Sequence, residues 1–213
     1  MRRGPTIVKK TGENMSKSQI AIWNRALGYL GTRTVASEEE NTPEALQCRL
    51  YWDAARREAL RDYPWPFAQC RAWLARVSLP AGYAHEYRFA YALPLGCLKA
   101  HEVRHEGISP RPFCLVQNSG QDGLCLLTDA SRALLLYTVD VRNCRLFDDS
   151  FAAMLARKLA ALVAVPLLKN NSQKVAELEK RYAESLPLAR QAAASERREP
   201  PLYDGWLAAR EAL

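Results

Sequence analysis

The hydrophobic pattern begins with Ile20, Trp23, Leu27 and Leu30, spaced three and four apart. That spacing predicts a helix with one buried face. Ser16 and Gln19 have capping-box spacing ahead of it, and Gly31 stands where a left-handed residue ends a helix. After the polar loop 37–41, Thr42 reads as an N-cap, Pro43 as the first helical position and Glu44 as a first-turn acid. The second stripe is Ala45, Cys48, Trp52, Ala55 and Ala59. Arg49, Arg56, Arg57 and Arg61 decorate its other faces, with Asp53 and Arg57 as an i,i+4 pair. The run Tyr63-Pro64-Trp65-Pro66-Phe67 ends this helix, since two prolines cannot continue it. Its aromatic residues read as a buried corner, with a ligand-stacking site as the competing reading. Residues 67–77 read as a short helix or an extended piece.

The period then falls to two. Residues 86–92, 98–105, 113–117, 124–128 and 133–139 read as strands, and the turn residues 118–123 join two of them as a hairpin. The helical period returns with Phe151, Leu155, Leu159 and Leu162, capped by Asp148 or Asp149 and ended or kinked by Pro166. Asn170-Asn171-Ser172 is a turn and cap. The last stripe is Val175, Leu178, Tyr182, Leu186, Ala189 and Ala193, with a kink predicted at Pro187. Four amphipathic helices must bury their stripes together. The expected fold is therefore α+β: mainly an α-helical bundle of four principal helices, with an inserted small antiparallel β-element of four or five strands. The expected organisation is a disordered basic N-terminal tail over 1–15, a helical bundle over 16–80 and 148–196, a β-rich insertion over 83–146 and an extended C-terminal docking tail over 197–213.

Composition changes this picture little. Over 213 residues, 48% are apolar and 25% charged, ordinary values for a globular chain with a sizeable core. The apolar run 159–168 is too short to span a bilayer and carries Pro166. The N-terminal segment lacks an apolar h-region, which argues against a secretory signal. Net charge is +7, but residues 1–14 hold Arg2, Arg3, Lys9 and Lys10 against Glu13, leaving +4 for the rest. That stretch reads either as a solvated terminus or as a basic arm near nucleic acid. Met15 is an alternative start. None of the six cysteines forms C-x-x-C. They read as small core residues with reduced thiols.

One motif looks like chemistry. His101-Glu102-Val103-Arg104-His105 matches the H-E-x-x-H pattern of zinc proteases. That chemistry needs a helix, which puts both histidines on one face with the glutamate poised over zinc-bound water. Here Pro94 and Gly96 precede the match, and Gly107 and Pro110 follow it. No histidine follows His105, the next glutamate after Glu106 is Glu177, and nothing recommends Asp129 as a third ligand. The segment reads as a strand of alternating charged residues. Replacing both histidines by alanine is expected to change stability by no more than about 0.5 kcal/mol. Phosphate-cradling glycine loops are absent from the sequence. Three histidines leave few ways to build a nucleophile–base pair. No catalytic, cofactor-binding or metal-binding residue is expected. The arginines of the second helix read as a solvated face with ion pairs, or as contacts to DNA phosphates.

Several weak patterns in order carry a resemblance. Ile22-Trp23-Asn24-Arg25-Ala26-Leu27 with Leu30-Gly31, the second helix leading into Tyr63-Pro64-Trp65-Pro66-Phe67-Ala68, and Tyr91-Ala92-Leu93-Pro94 before Cys97-Leu98 resemble podovirus tail tubular protein A and related head–tail adaptors. Phe151-Ala152-Ala153 through Leu159-Ala160, and on to Tyr182, Ala189-Arg190 and Ser195-Glu196, is similar to that family too. The resemblance covers roughly residues 18 to 198. It implies a non-enzymatic bacteriophage connector subunit that forms a dodecameric ring between portal and tail and continues the DNA channel. Its implied partners are the portal protein, a tail or nozzle protein, further copies of itself and DNA passing non-specifically, with no membrane and no cofactor. Its implied place is the virion head–tail junction, after synthesis in the host bacterial cytoplasm. The alternative is a basic nucleic-acid-binding protein without ring assembly. Beyond Arg197-Arg198-Glu199-Pro200-Pro201, residues Tyr203, Trp206 and Leu207 read as partner-docking anchors, because aromatic side chains bury large areas at interfaces.

Overall fold

The caps explain where each helix begins. The computed structural model describes residues 18–117, 123–169 and 171–195. In it α1 spans Gln19–Leu30, α2 Pro43–Asp62, α3 Asp149–Leu167 and α4 Ser172–Ser195. Ser18 caps α1, accepting the Ala21 N–H at 3.1 Å, while Ser16 lies outside the described residues. Gly31 ends α1 at φ 75°, a conformation a side chain disfavours. Thr42 caps α2 and Asp148 caps α3, the latter accepting the Phe151 N–H at 2.7 Å. Asn171 does the same for α4 through the Lys174 N–H. Neither proline stops its helix early: α3 runs one residue past Pro166, and α4 continues through Pro187 to Ser195.

α3 is the centre of the helical layer and packs against α1, α2 and α4. Among the described residues it is also the one helix long and apolar enough to cross a membrane. Its buried residues Phe151, Leu155, Leu159 and Val163 instead belong to the main core. The corner after α2 completes that core. Trp65 is fully buried, meets Phe151 edge-on at 4.9 Å, and donates its indole N–H to the Ala59 carbonyl at 2.8 Å. Phe67 and Phe147 close the ring cluster at 5.5 Å. A polar clamp fixes α4 to the end of α2. The Tyr182 hydroxyl donates to Asp62 at 2.7 Å, and Arg190 donates to the Asp62 carbonyl at 2.8 Å. Burial, and then this hydrogen bond, push the Tyr182 phenol well above its usual range.

The β part is not a small insertion, and the chain is not mainly a helical bundle. Among the described residues eight strands form two four-stranded antiparallel sheets. They are β1 (Gln69–Trp73), β2 (Arg76–Val77), β3 (Phe89–Ala92), β4 (Cys97–His105), β5 (Ser109–Arg111), β6 (Phe113–Gln117), β7 (Leu124–Thr128) and β8 (Ala133–Val139). One sheet has the order β1-β8-β4-β5, the other β2-β3-β7-β6. The segment 67–77, read from the sequence as a short helix or an extended piece, thus supplies two strands, β1 and β2. β1 pairs along its whole length with β8, from Gln69 opposite Thr138 to Trp73 opposite Leu134. A stretch of Gln, Cys, Arg and Ala has weak local preference, so the partner strand decides its state. The two sheets pack face to face: Tyr91 and Leu126 from one share a core with Val103, Leu135 and Tyr137 from the other. The other face of the second sheet is covered by Leu79, Tyr83 and Tyr87 of the preceding loop. This is an α+β fold with a substantial sheet component.

Arg56 joins the two halves. It is 1% exposed on α2, yet it bonds Asp140 and the Val141 carbonyl just after β8, the latter at 2.9 Å. Asp53 meets it at 3.0 Å on the same helix. The expected Asp53–Arg57 pair is therefore replaced by an i,i+3 contact with Arg56, because Arg56 must point inward to reach Asp140. Arg61 and Lys99 exchange further bonds across the junction, Arg61 to the Leu98 carbonyl at 2.7 Å and Lys99 to the Arg61 carbonyl at 3.2 Å.

Candidate interaction surface

β1 and β4 both start beside the helical core and run away from it, so Trp73 and the β4–β5 hairpin lie at the remote end of their sheet. The hairpin turn is tight. Glu106 and Gly107 both have positive φ, 51° and 79°, and the Ile108 N–H donates to the His105 carbonyl at 3.0 Å. Two successive positive φ values mark a primed turn, whose twist matches the flanking strands. The Glu106 N–H also donates to the Arg132 carbonyl at 3.1 Å, and the Leu74 N–H to the Ala133 carbonyl at 3.0 Å. These bonds tie the hairpin, the end of β1 and the β7–β8 turn into one tip.

On this tip Trp73 is 52% exposed, and Ile108 is exposed beside the turn. The Arg132 guanidinium lies over the Trp73 ring at 4.9 Å. A Cβ placed on Gly107 would sit 3.6 Å from both the Trp73 ring and the Leu134 side chain. Trp73 is therefore held from several sides while offering a large ring to solvent. A half-exposed tryptophan with an arginine stacked on it is the type of group that carries binding energy between proteins. Sequence reasoning did not single out Trp73. The signal available was the Glu106-Gly107 pair, which demands a tight turn, but only strand pairing brings that turn to Trp73.

The H-E-x-x-H residues lie on β4, where the backbone is extended. At about 3.3 Å per residue the His101 and His105 backbones are ~13 Å apart, whereas zinc needs nitrogen ligands at about 2.0 Å. His101 sits where the β4–β8 register shifts, and its Nε2 is 2.7 Å from the Thr138 hydroxyl. Glu102 is taken by Arg104 at 2.5 Å. Asp129, the weak candidate for a third ligand, accepts the Arg88 N–H at 3.0 Å. No group of three metal-ligating side chains occurs among the described residues. The stability expectation needs revision: since Thr138 is fully buried, His101→Ala is expected to cost about 1 kcal/mol through a lost buried hydrogen bond. Urea unfolding measures it, and the midpoint is expected to be the same with and without a zinc chelator.

The arginines of α2 are not a simple solvated face. Arg56 and Arg61 are structural, as described, and Arg49 donates to the Glu38 carbonyl through Nε at 3.0 Å.

All six cysteines are free. Burial pushes the Cys48 thiol from about 9 up to about 12, helped by the Glu44 charge, and pushes Cys144 up to about 11. Such thiols stay protonated and unreactive near neutrality. The sign of the linkage is clear. In the unfolded chain these thiols ionise near pH 9, while the folded protein keeps their protons. Their contribution to stability is thus intact below pH 9 and is lost as pH rises from 9 towards 11 and 12. Thermal midpoints measured across that window are expected to fall, and to fall less for Cys48→Ala.

No protein-family model matches this chain, and no curated protein matches it either. The tail anchors Tyr203, Trp206 and Leu207, the 197–213 tail and the basic segment 1–15 lie outside the described residues.

Proposed function

We propose that this protein is a structural connector subunit of a bacteriophage, which assembles into a ring between portal and tail and continues the DNA channel. The observation that carries the reading is the Trp73–Arg132 tip, a fixed and exposed aromatic platform suited to contact between proteins. The residues behind the family resemblance add support of a second kind. Trp23, Leu27, Trp65, Phe151 and Leu159 all lie in the helical core, so the residues behind the resemblance are ones that pack together. Leu46 and Leu50, exposed one turn apart on α2, offer a second apolar contact away from the tip. The partners under this reading are the portal protein, a tail or nozzle protein, neighbouring copies and the DNA in the channel.

The experiment combines purified protein with its cognate portal and images the mixture by negative stain. Rings on the portal are expected, with free protein sedimenting mostly as monomer. Trp73→Ala is expected to prevent ring formation while shifting the thermal midpoint by no more than about 4 °C, the effect of ~1 kcal/mol in a domain this size. Rings that form normally with Trp73→Ala would remove the tip from the assembly. A wild-type protein that ignores the portal, stays monomeric and binds DNA with steep salt dependence would make the nucleic-acid reading the better one.

A further inference from the structure

A cleft runs along the N-terminal half of α1, bordered by α2 and by the turn after β8. Its larger part, about 260 Å³, is lined by Trp23, Arg49, Asp53, Arg56 and Arg142 among others. A second part of about 210 Å³ shares Gln19 and Arg142 and adds Arg145. The floor holds two unused donors. Trp23 is 0% exposed and its indole N–H has no acceptor among the described residues. Arg56 is 1% exposed and its Nε–H has none either, although its terminal nitrogens are engaged. A buried N–H without an acceptor costs about 1–3 kcal/mol, so two on one cleft floor mark a place where an acceptor is wanted.

The charge around the cleft has the matching sign. Among the described residues Arg49 bonds only backbone carbonyls, which carry no compensating charge. Among the described residues Arg145 makes no ion pair, and Arg142 reaches Asp140 only at 3.8 Å while 79% exposed. Against these cations and Arg56 stand Asp53 and Asp140. The first turn of α1, which carries no acidic residue, adds the positive end of a helix dipole.

We propose that this cleft is a binding site for a peptide carboxylate, a glutamate or aspartate side chain or a chain end supplied by a protein partner. Two lining residues thus each carry an N–H that lacks an acceptor, and a carboxylate supplies two acceptor oxygens. The volume admits one or two side chains rather than a larger ligand. A space of this volume suits a carboxylate on a flexible stem better than a phosphate held in a stiff duplex. The site does not depend on the connector reading, since it would serve any acidic protein partner.

The test uses the full chain labelled with ¹⁵N. Each of its five tryptophans contributes an indole N–H resonance, and Trp23→Phe identifies that of Trp23. Titration with the pentapeptide Gly-Gly-Glu-Gly-Gly, capped at both ends, is expected to move the Trp23 resonance saturably. The exposed Arg142→Ala variant, which leaves the core untouched, is expected to weaken binding by about tenfold, the size of one charge-assisted hydrogen bond. An unmoved Trp23 resonance would overturn the proposal. So would an equal response to the glutamine-containing peptide, since the carboxylate would then be irrelevant. Tighter binding by a twelve-base-pair DNA duplex, moving the same resonance, would also overturn it and reassign the cleft to phosphate.

Discussion

Arg56→Ala is expected to destabilise the protein by about 3–5 kcal/mol, the usual consequence of removing one partner from a buried ion pair. The guanidinium is 1% exposed, and Asp140 across the junction is 12% exposed. Burial by itself pushes the Arg56 pKa down. Hydrogen bonds to Asp140 and Asp53, and their charges, more than reverse this and leave it above the ordinary value. Truncation strands the Asp140 carboxylate and the Val141 carbonyl at the same time. In a domain of this size that loss lowers the thermal midpoint by roughly 6–20 °C. Arg56→Lys is expected to recover little, because one ammonium cannot span Asp53, Asp140 and the carbonyl in the fork geometry that a guanidinium supplies. A double-mutant cycle with Asp140→Ala isolates the pair, and a coupling below about 0.5 kcal/mol, the range seen for independent sites, would show that Arg56 acts mainly through packing. This contact fixes the helical layer against the sheet that carries Trp73.

Trp65→Ala is expected to cost a similar amount, about 3–5 kcal/mol, for a different reason. The ring is fully buried and contacts Tyr63, Phe67 and Phe151 at centroid distances of 5.2, 6.4 and 4.9 Å. Its removal leaves a cavity that the flanking Pro64 and Pro66 resist closing, since their backbone dihedrals are fixed. Trp65→Phe separates the contributions. It keeps most of the packing but strands the Ala59 carbonyl that now accepts the indole N–H at 2.8 Å, so a loss of about 1–3 kcal/mol is expected. Chemical denaturation of the three proteins checks the order. If Trp65→Ala unfolds within 1 kcal/mol of the parent, on the order of a surface change, the corner is not a cornerstone of the core.

Both predictions concern residues that were visible in the sequence to different degrees. Trp65 stood out beforehand, because an aromatic residue between two prolines after an amphipathic helix has few places to go except the core. Arg56 did not. On a helical wheel it is one of four arginines away from the apolar stripe, and nothing local separates it from Arg57. Its partners are 84 and 85 positions away, and a contact at that distance is created by the fold. The same holds for His101 and Thr138, whose bond revises the expected indifference of His101.

The sequence by itself determined the elements whose signals are local. The four helices follow from 3.6-residue periodicity with Thr42, Asp148, Gly31 and the prolines as punctuation, and five strands follow from alternation. It also weighed against the zinc-protease reading of His101–His105, since Pro94, Gly96, Gly107 and Pro110 leave little room for a helix. Tertiary structure decided the rest. It made residues 69–77 strands, because β1 has weak preferences of its own and gains its state from β8. It turned an expected small insertion into two packed sheets, because short edge strands such as β2 and β5 exist only as partners of β3 and β4. It brought Trp73, Gly107 and Arg132 together at one tip, and Trp23, Arg56 and Arg142 around one cleft. In each case the free energy lies in contacts between residues far apart in the chain, which a local pattern cannot encode.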